Sequence, residues 1–141
     1  MVYLDQVRPK GDAHISLIVG DHADQHVTAT GRSMLFQFPI EEQLKRIKTL
    51  TAHPTDPTLE FSLPEYSQAR IAFEETGYTA LSREDGITRI AAPVVDRCGQ
   101  TVASVGIFMA NSRAERVGID AIGKECVAQC TRLSGKVGKL N

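Results

Sequence analysis

The run Arg89-Ile90-Ala91-Ala92-Pro93-Val94-Val95-Asp96-Arg97-Cys98-Gly99-Gln100-Thr101-Val102-Ala103-Ser104-Val105-Gly106-Ile107 constrains the fold more than any other stretch of this chain. Two apolar, β-branched segments flank a short polar turn ending in glycine, the pattern of a β-hairpin that crosses a sheet. Asp96 suits the turn, because a short carboxylate can hold the backbone N–H groups that follow it. Alternation along the strands then assigns faces. Ser104, Gly106 and Phe108 share one face and Ala103, Val105 and Ile107 the other, while Arg89 goes with Ile87 and Ala91.

Helical signals surround the hairpin. Met34, Leu35 and Phe38 follow the small residues Ala29, Thr30 and Gly31 at a spacing that fits one face of a short helix, ended by Pro39. A second helix is expected from about Glu41, with Leu44, Ile47 and Leu50 inward and Lys45 and Lys48 in water. The prolines at 54 and 57 mark a loop over 51–59. Ser62 three residues before Glu65, with Pro64 in the first turn, starts a third helix that Gly77 is placed to stop. At the carboxyl end, Ile119, Ile122, Cys126, Cys130, Leu133 and Val137 recur in steps of three and four, and Ser112 is positioned to cap this helix. At the amino end, Val2–Val7 and His14–Val19 read as two strands paired across the Pro9–Asp12 turn. Strands at both ends of a helical middle make an α+β domain, an antiparallel sheet flanked by helices.

Residue counts narrow the function. A chain of 141 residues, 42% hydrophobic, supports one domain spanning 1–141. Sixteen basic against 17 acidic residues leave no cationic excess for a DNA backbone. No window of 18 apolar residues occurs, and Asp5 and Arg8 stand where a signal peptide needs its apolar core, so a soluble, cytoplasmic chain that does not enter membranes is expected. Three cysteines, two of them four apart on an apolar helix face, indicate reduced thiols in a core and no disulfide framework.

Few residues can carry chemistry. Arg89 on an inward strand face needs a partner, which is either an internal carboxylate or a bound anion. Gly106 marks either a close approach by a ligand or backbone, or a bulge. Thr28-Ala29-Thr30-Gly31-Arg32, where a loop meets a helix, is either an ordinary cap or a holder for a small carboxylate. His22 and His26 have metal-like spacing without the glutamate of a metalloprotease motif. No Gly-x-Ser-x-Gly elbow or phosphate loop is present, and Cys98 sits in an exposed turn without a pocket. No catalytic residue, metal or cofactor is assigned, and the chain is read as a non-enzyme.

With Gly77-Tyr78 ahead of the hairpin, Ser112-Arg113 behind it and the Val-Tyr-Leu-Asp strand followed by His26-x4-Gly31-Arg32, the chain resembles the effector-binding domain of the IclR family of bacterial transcription regulators. The resemblance covers about residues 2 to 138 and rests on order and spacing. It implies a GAF-like (profilin-like) fold with a pocket between the sheet and the elements packed over it. The ligand would be a small organic or aromatic acid, the assembly a homodimer or tetramer. DNA would be reached only through a winged helix-turn-helix domain not present in this chain. Carried over position by position, the pocket draws on Ile15, Ala23, Ala29, Thr30, Ser82, Ile87, Arg89, Gly106 and Phe108. The family's domain begins before residue 2, so the chain is read as shortened at its amino end. Arg32 replaces the usual lysine, Phe36 a small residue, and Met109-Ala110 the common Gly-Pro. Phe108 is bulky for a pocket position, and with Arg89 it points to an anionic ligand with an apolar or aromatic body. The alternative is an interaction or dimerisation module, its pocket filled by Phe36 and Phe108 and Arg89 paired with an internal carboxylate.

Overall fold

The hairpin is the centre of the molecule. In a computed structural model, which describes residues 1–8 and 17–137, β1 (Thr79–Ser82), β2 (Ile87–Val95) and β3 (Thr101–Ala110) form an antiparallel sheet in the order β1-β2-β3. Arg89 stands opposite Phe108, Ala91 opposite Gly106, and Pro93 opposite Ser104. Asp96 Oδ1 accepts from the N–H groups of Cys98 at 2.8 Å and Gln100 at 2.9 Å, which closes the turn. The short strand β1 is not signalled by alternation and forms by pairing Thr79 with Ala91.

Helices cover the two faces of this sheet. Thr28 caps α1 (Ala29–Leu35), its Oγ1 accepting from Gly31 N at 3.2 Å. α2 (Ile40–Ala52) begins close to its expected start, but its inward face is Gln43 and Ile47, with Leu44 left 44% exposed. The reason is a polar pair: buried Tyr66 donates to Gln43 Oε1 at 2.9 Å, and Gln43 Nε2 donates to the Phe38 carbonyl at 2.7 Å. Satisfied on both ends, an amide can be buried at little cost. α3 (Leu63–Thr76) has the expected Ser62 cap and ends at Gly77 with φ of 79°, a conformation that favours glycine.

The last helical segment is two helices. α4 (Asn111–Val117) and α5 (Ile119–Val137) are separated by Gly118, and no side chain caps α4, so Ser112 is not a cap. α5 packs Ile122, Cys126 and Cys130 on Ile90 and Val94 of the sheet and on Tyr78 just ahead of β1, while Leu133 is 40% exposed. On the opposite face, Leu35, Phe36, Ile47, Tyr66 and Phe73 make a second core between α1, α2 and α3.

The amino end departs from the expected strand pair. Val2–Val7 contributes one antiparallel bridge, Val2 to His22, and its backbone bonds go to residues 20–23. Part of the expected second strand, 14–16, lies outside the described residues.

Candidate functional site

Two adjacent serines fix α1 on the sheet. Ser33 Oγ and Ser104 Oγ lie 2.6 Å apart, and Ser33 also donates to the Thr30 carbonyl at 2.8 Å. One turn along, α1 approaches so closely that a Cβ on Gly106 would meet Thr30 Cγ2 at 2.6 Å and the Phe108 ring at 3.3 Å. Gly106 is thus a close-approach glycine, required first by Thr30.

Beyond this contact opens a cavity of about 770 Å³. Thr30 and Met34 of α1, Ser104, Gly106 and Phe108 of β3, and Arg113 of α4 contribute to its wall, and Met1–Arg8 borders it on the other side. Thr30 is 6% exposed, and its hydroxyl meets no partner with hydrogen-bond geometry among the described residues. The Tyr3 phenol faces the same region: burial raises its pKa, while the Thr30 hydroxyl and the charge of Arg89 pull it down.

The cavity gathers three of the nine expected positions, Thr30, Gly106 and Phe108. Arg89 is not in the lining, though its charge reaches the Tyr3 phenol. Its guanidinium donates to both oxygens of Asp85 and, at 3.0 Å, to the Ile87 carbonyl. Ala29 is buried one residue from Thr30, its carbonyl accepting from Thr79 Oγ1 at 2.9 Å. Ala23 donates its N–H to the Met1 carbonyl. Ser82 is exposed and 3.0 Å from the Thr88 hydroxyl, Ile87 is half-buried at the start of β2, and Ile15 lies outside the described residues. Ser104, Tyr3, Met34 and Arg113 are among the lining groups that sequence reasoning did not assign; alternation with Gly106 and Phe108 could have found Ser104.

Neighbouring charges are structural. Arg32, 2% exposed, donates through Nε to the His26 carbonyl at 2.8 Å and through both terminal nitrogens to Glu65, at 2.7 and 3.3 Å. Lysine cannot make this forked contact. Phe36 sits between Tyr66 and Phe73, at centroid distances of 5.0 and 5.3 Å, and does not fill the cavity. His22 and His26 do not lie on a helix, and no group of three or more metal-binding side chains occurs among the described residues. No helix among them is long and apolar enough to cross a membrane.

The α+β arrangement, a three-stranded antiparallel sheet among five helices, agrees with the fold class that the resemblance implies. Residues 1–134 match the family described as bacterial transcriptional regulator IclR C-terminal. The chain belongs to that family. Solved IclR-type structures share its fold. Thermotoga maritima IclR is 24% identical with a TM-score of 0.75, covering 97% of this chain and 56% of its own. The Agobacterium tumefaciens repressor BlcR is 23% identical with a TM-score of 0.74, covering 87% and 51%. The transcriptional regulator YaiJ is 19% identical with a TM-score of 0.83, covering 99% and 80%. The chain thus spans about half the length of the first two. No curated protein matches it. IclR C-terminal domains are regulatory, effector-binding domains, a class of transcriptional regulators and not of enzymes.

Proposed function

We propose that this chain senses a small organic acid with an apolar or aromatic body, and that in the intact regulator the bound acid alters the hold on an operator through a DNA-binding domain outside this chain. The observation that carries the reading is the cavity of about 770 Å³ that Thr30, Gly106 and Phe108 line together. Gly106 and Phe108 offer an apolar wall, and Arg113, one of two arginines in the lining, is suited to a carboxylate. Arg89 serves as anchor only by leaving Asp85. Regulation requires that the acid bind two states of a homodimer or tetramer unequally, since equal binding shifts nothing.

The test is a thermal-shift series of aromatic and keto acids with their amides. A ligand raises the melting temperature in proportion to the logarithm of its excess over Kd. The expected result is a rise for one acid series, reduced in Thr30→Val and in Arg113→Ala. Equal shifts for acid and amide would remove the carboxylate role. A flat response across all acids, from folded protein, would favour the interaction module, a reading that the Arg89–Asp85 pair supports.

A further inference from the structure

A second cavity, of about 360 Å³, lies between α3 and α5 and shares no lining residue with the first. It opens where β1 stops: β1 pairs with β2 only over Thr88–Ala91, and the next stretch of β2, with Pro93 and Val95, borders the cavity. Phe73, Gly77 and Val127 make the rest of its wall largely apolar, and the Cys130 thiol of α5 belongs to that wall.

Cys130 does not act alone. Cys126 stands four residues earlier, one turn back on the same face of α5, and its thiol bonds that of Cys130. Both sulfurs meet one place in the sheet. Cys126 Sγ donates to the Val105 carbonyl at 3.6 Å and Cys130 Sγ to the Ala92 carbonyl at 3.4 Å, and Ala92 and Val105 stand opposite each other in the β2–β3 register. The bond between the thiols raises the pKa of Cys126, with burial adding to the rise, and lowers that of Cys130, the member at the cavity. The thiolate is the form that attacks and binds. Zinc would find too few ligands, since no group of three or more metal-binding side chains occurs among the described residues. A thiophilic centre that takes two sulfurs from the protein and brings its own third substituent does fit.

We propose that Cys126 and Cys130 form a binding site for trivalent arsenic bearing one organic group, with both sulfurs bonded to arsenic and the organic group lodged in the cavity between α3 and α5. With an arsenoxide the step balances without an oxidant. The Cys130 sulfur adds to arsenic, the Cys126 sulfur follows, the bonds between arsenic and oxygen break, and the oxygen leaves as water with the two thiol protons. Arsenic stays trivalent throughout. The second bond closes within one molecule, which sets this pair apart from the exposed single thiol Cys98. The site is separate from the one assigned to acid sensing.

The experiment exposes the full 141-residue chain to phenylarsine oxide in an excess of glutathione and reads the intact mass. The expected product carries one phenylarsenic unit in place of two thiol hydrogens, is held about a hundredfold more tightly than by C126A or C130A, and is unaffected by C98S. The unsubstituted chain gives a second reading that does not depend on a core variant folding. After capture and denaturation, iodoacetamide is expected to alkylate Cys98 and spare Cys126 and Cys130, and dithiothreitol to make all three reactive again. Alkylation of all three without dithiothreitol, or capture no faster than global unfolding, overturns the proposal. Methylarsine oxide, whose organic group buries much less apolar surface, is expected to be held about tenfold less tightly, and equal retention would remove the cavity from the site. Because the two cavities share no residue, this result and that of the acid screen can each fail without the other.

Discussion

His26 and Glu65 show how single residues set the conditions under which the fold holds. His26 is 3% exposed, its Nδ1 has no partner among the described residues, and its ring packs 5.3 Å from that of Phe61. Burial lowers its pKa from the ordinary 6.5, against the raising effect of Asp24 and with that of Arg32. The unfolded chain then binds this proton more readily than the folded one, so the stability it represents is complete above pH 6.5 and is lost as pH falls through the folded value. Glu65 adds a second stage. Its hydrogen bonds from Arg32 hold it below the ordinary 4.5, so its contribution is present above that pH and disappears further into acid. Urea titrations across pH are expected to show both stages, with His26→Phe abolishing the first and Glu65→Gln the second. Breaking a buried ion pair costs about 3–5 kcal/mol, but with Glu65 47% exposed, about 1–2 kcal/mol is expected at pH 7. A pH profile unchanged in His26→Phe would assign the first stage to another group.

At the scale of elements, helix α5 shows what a sequence reveals and what it withholds. Its period of three and four correctly places Ile122, Cys126 and Cys130 in the core, because one apolar face is all that packing against a sheet demands. The same reasoning misses Gly123. A Cβ there would meet the Tyr78 ring at 2.4 to 2.6 Å, so this glycine sets how closely α5 approaches the sheet. Gly135, in the same helix, has nothing within 4 Å of such a Cβ. Gly123→Ala is therefore expected to destabilise by about 1–3 kcal/mol through overpacking. Gly135→Ala is expected to stabilise by about 0.5–1 kcal/mol through helix propensity alone. Denaturant midpoints distinguish them, and equal gains would mean that Tyr78 yields freely. Similar limits explain the other misses. Gln43 faces inward because Tyr66, 23 residues away, needs an acceptor, and strand β1 exists because β2 is beside it. Neither partner is visible in local pattern. Thr30, Gly106 and Phe108 are legible as neighbours around one cavity because strand alternation and a helix start place them, whereas the Arg89–Asp85 pair depends on how a short loop turns.

Across the whole molecule, protection should be graded from the centre of the sheet outward. Amides of β2, paired on both sides over Thr88–Ala91, are expected to exchange slowest. The alternate amides of β3 that point away from β2 should exchange orders of magnitude faster in the free chain, and uniform protection across both strands would show that the outer margin is already covered. Among the described residues, strand pairing satisfies both sides of β2 and one side of β3. The difference between the margins also limits stoichiometry. A molecule receptive on both sides could join others end to end without limit, as filaments do. This one is closed on its β1 flank by Pro93 and a four-residue strand, so its sheet cannot be extended strand by strand in both directions.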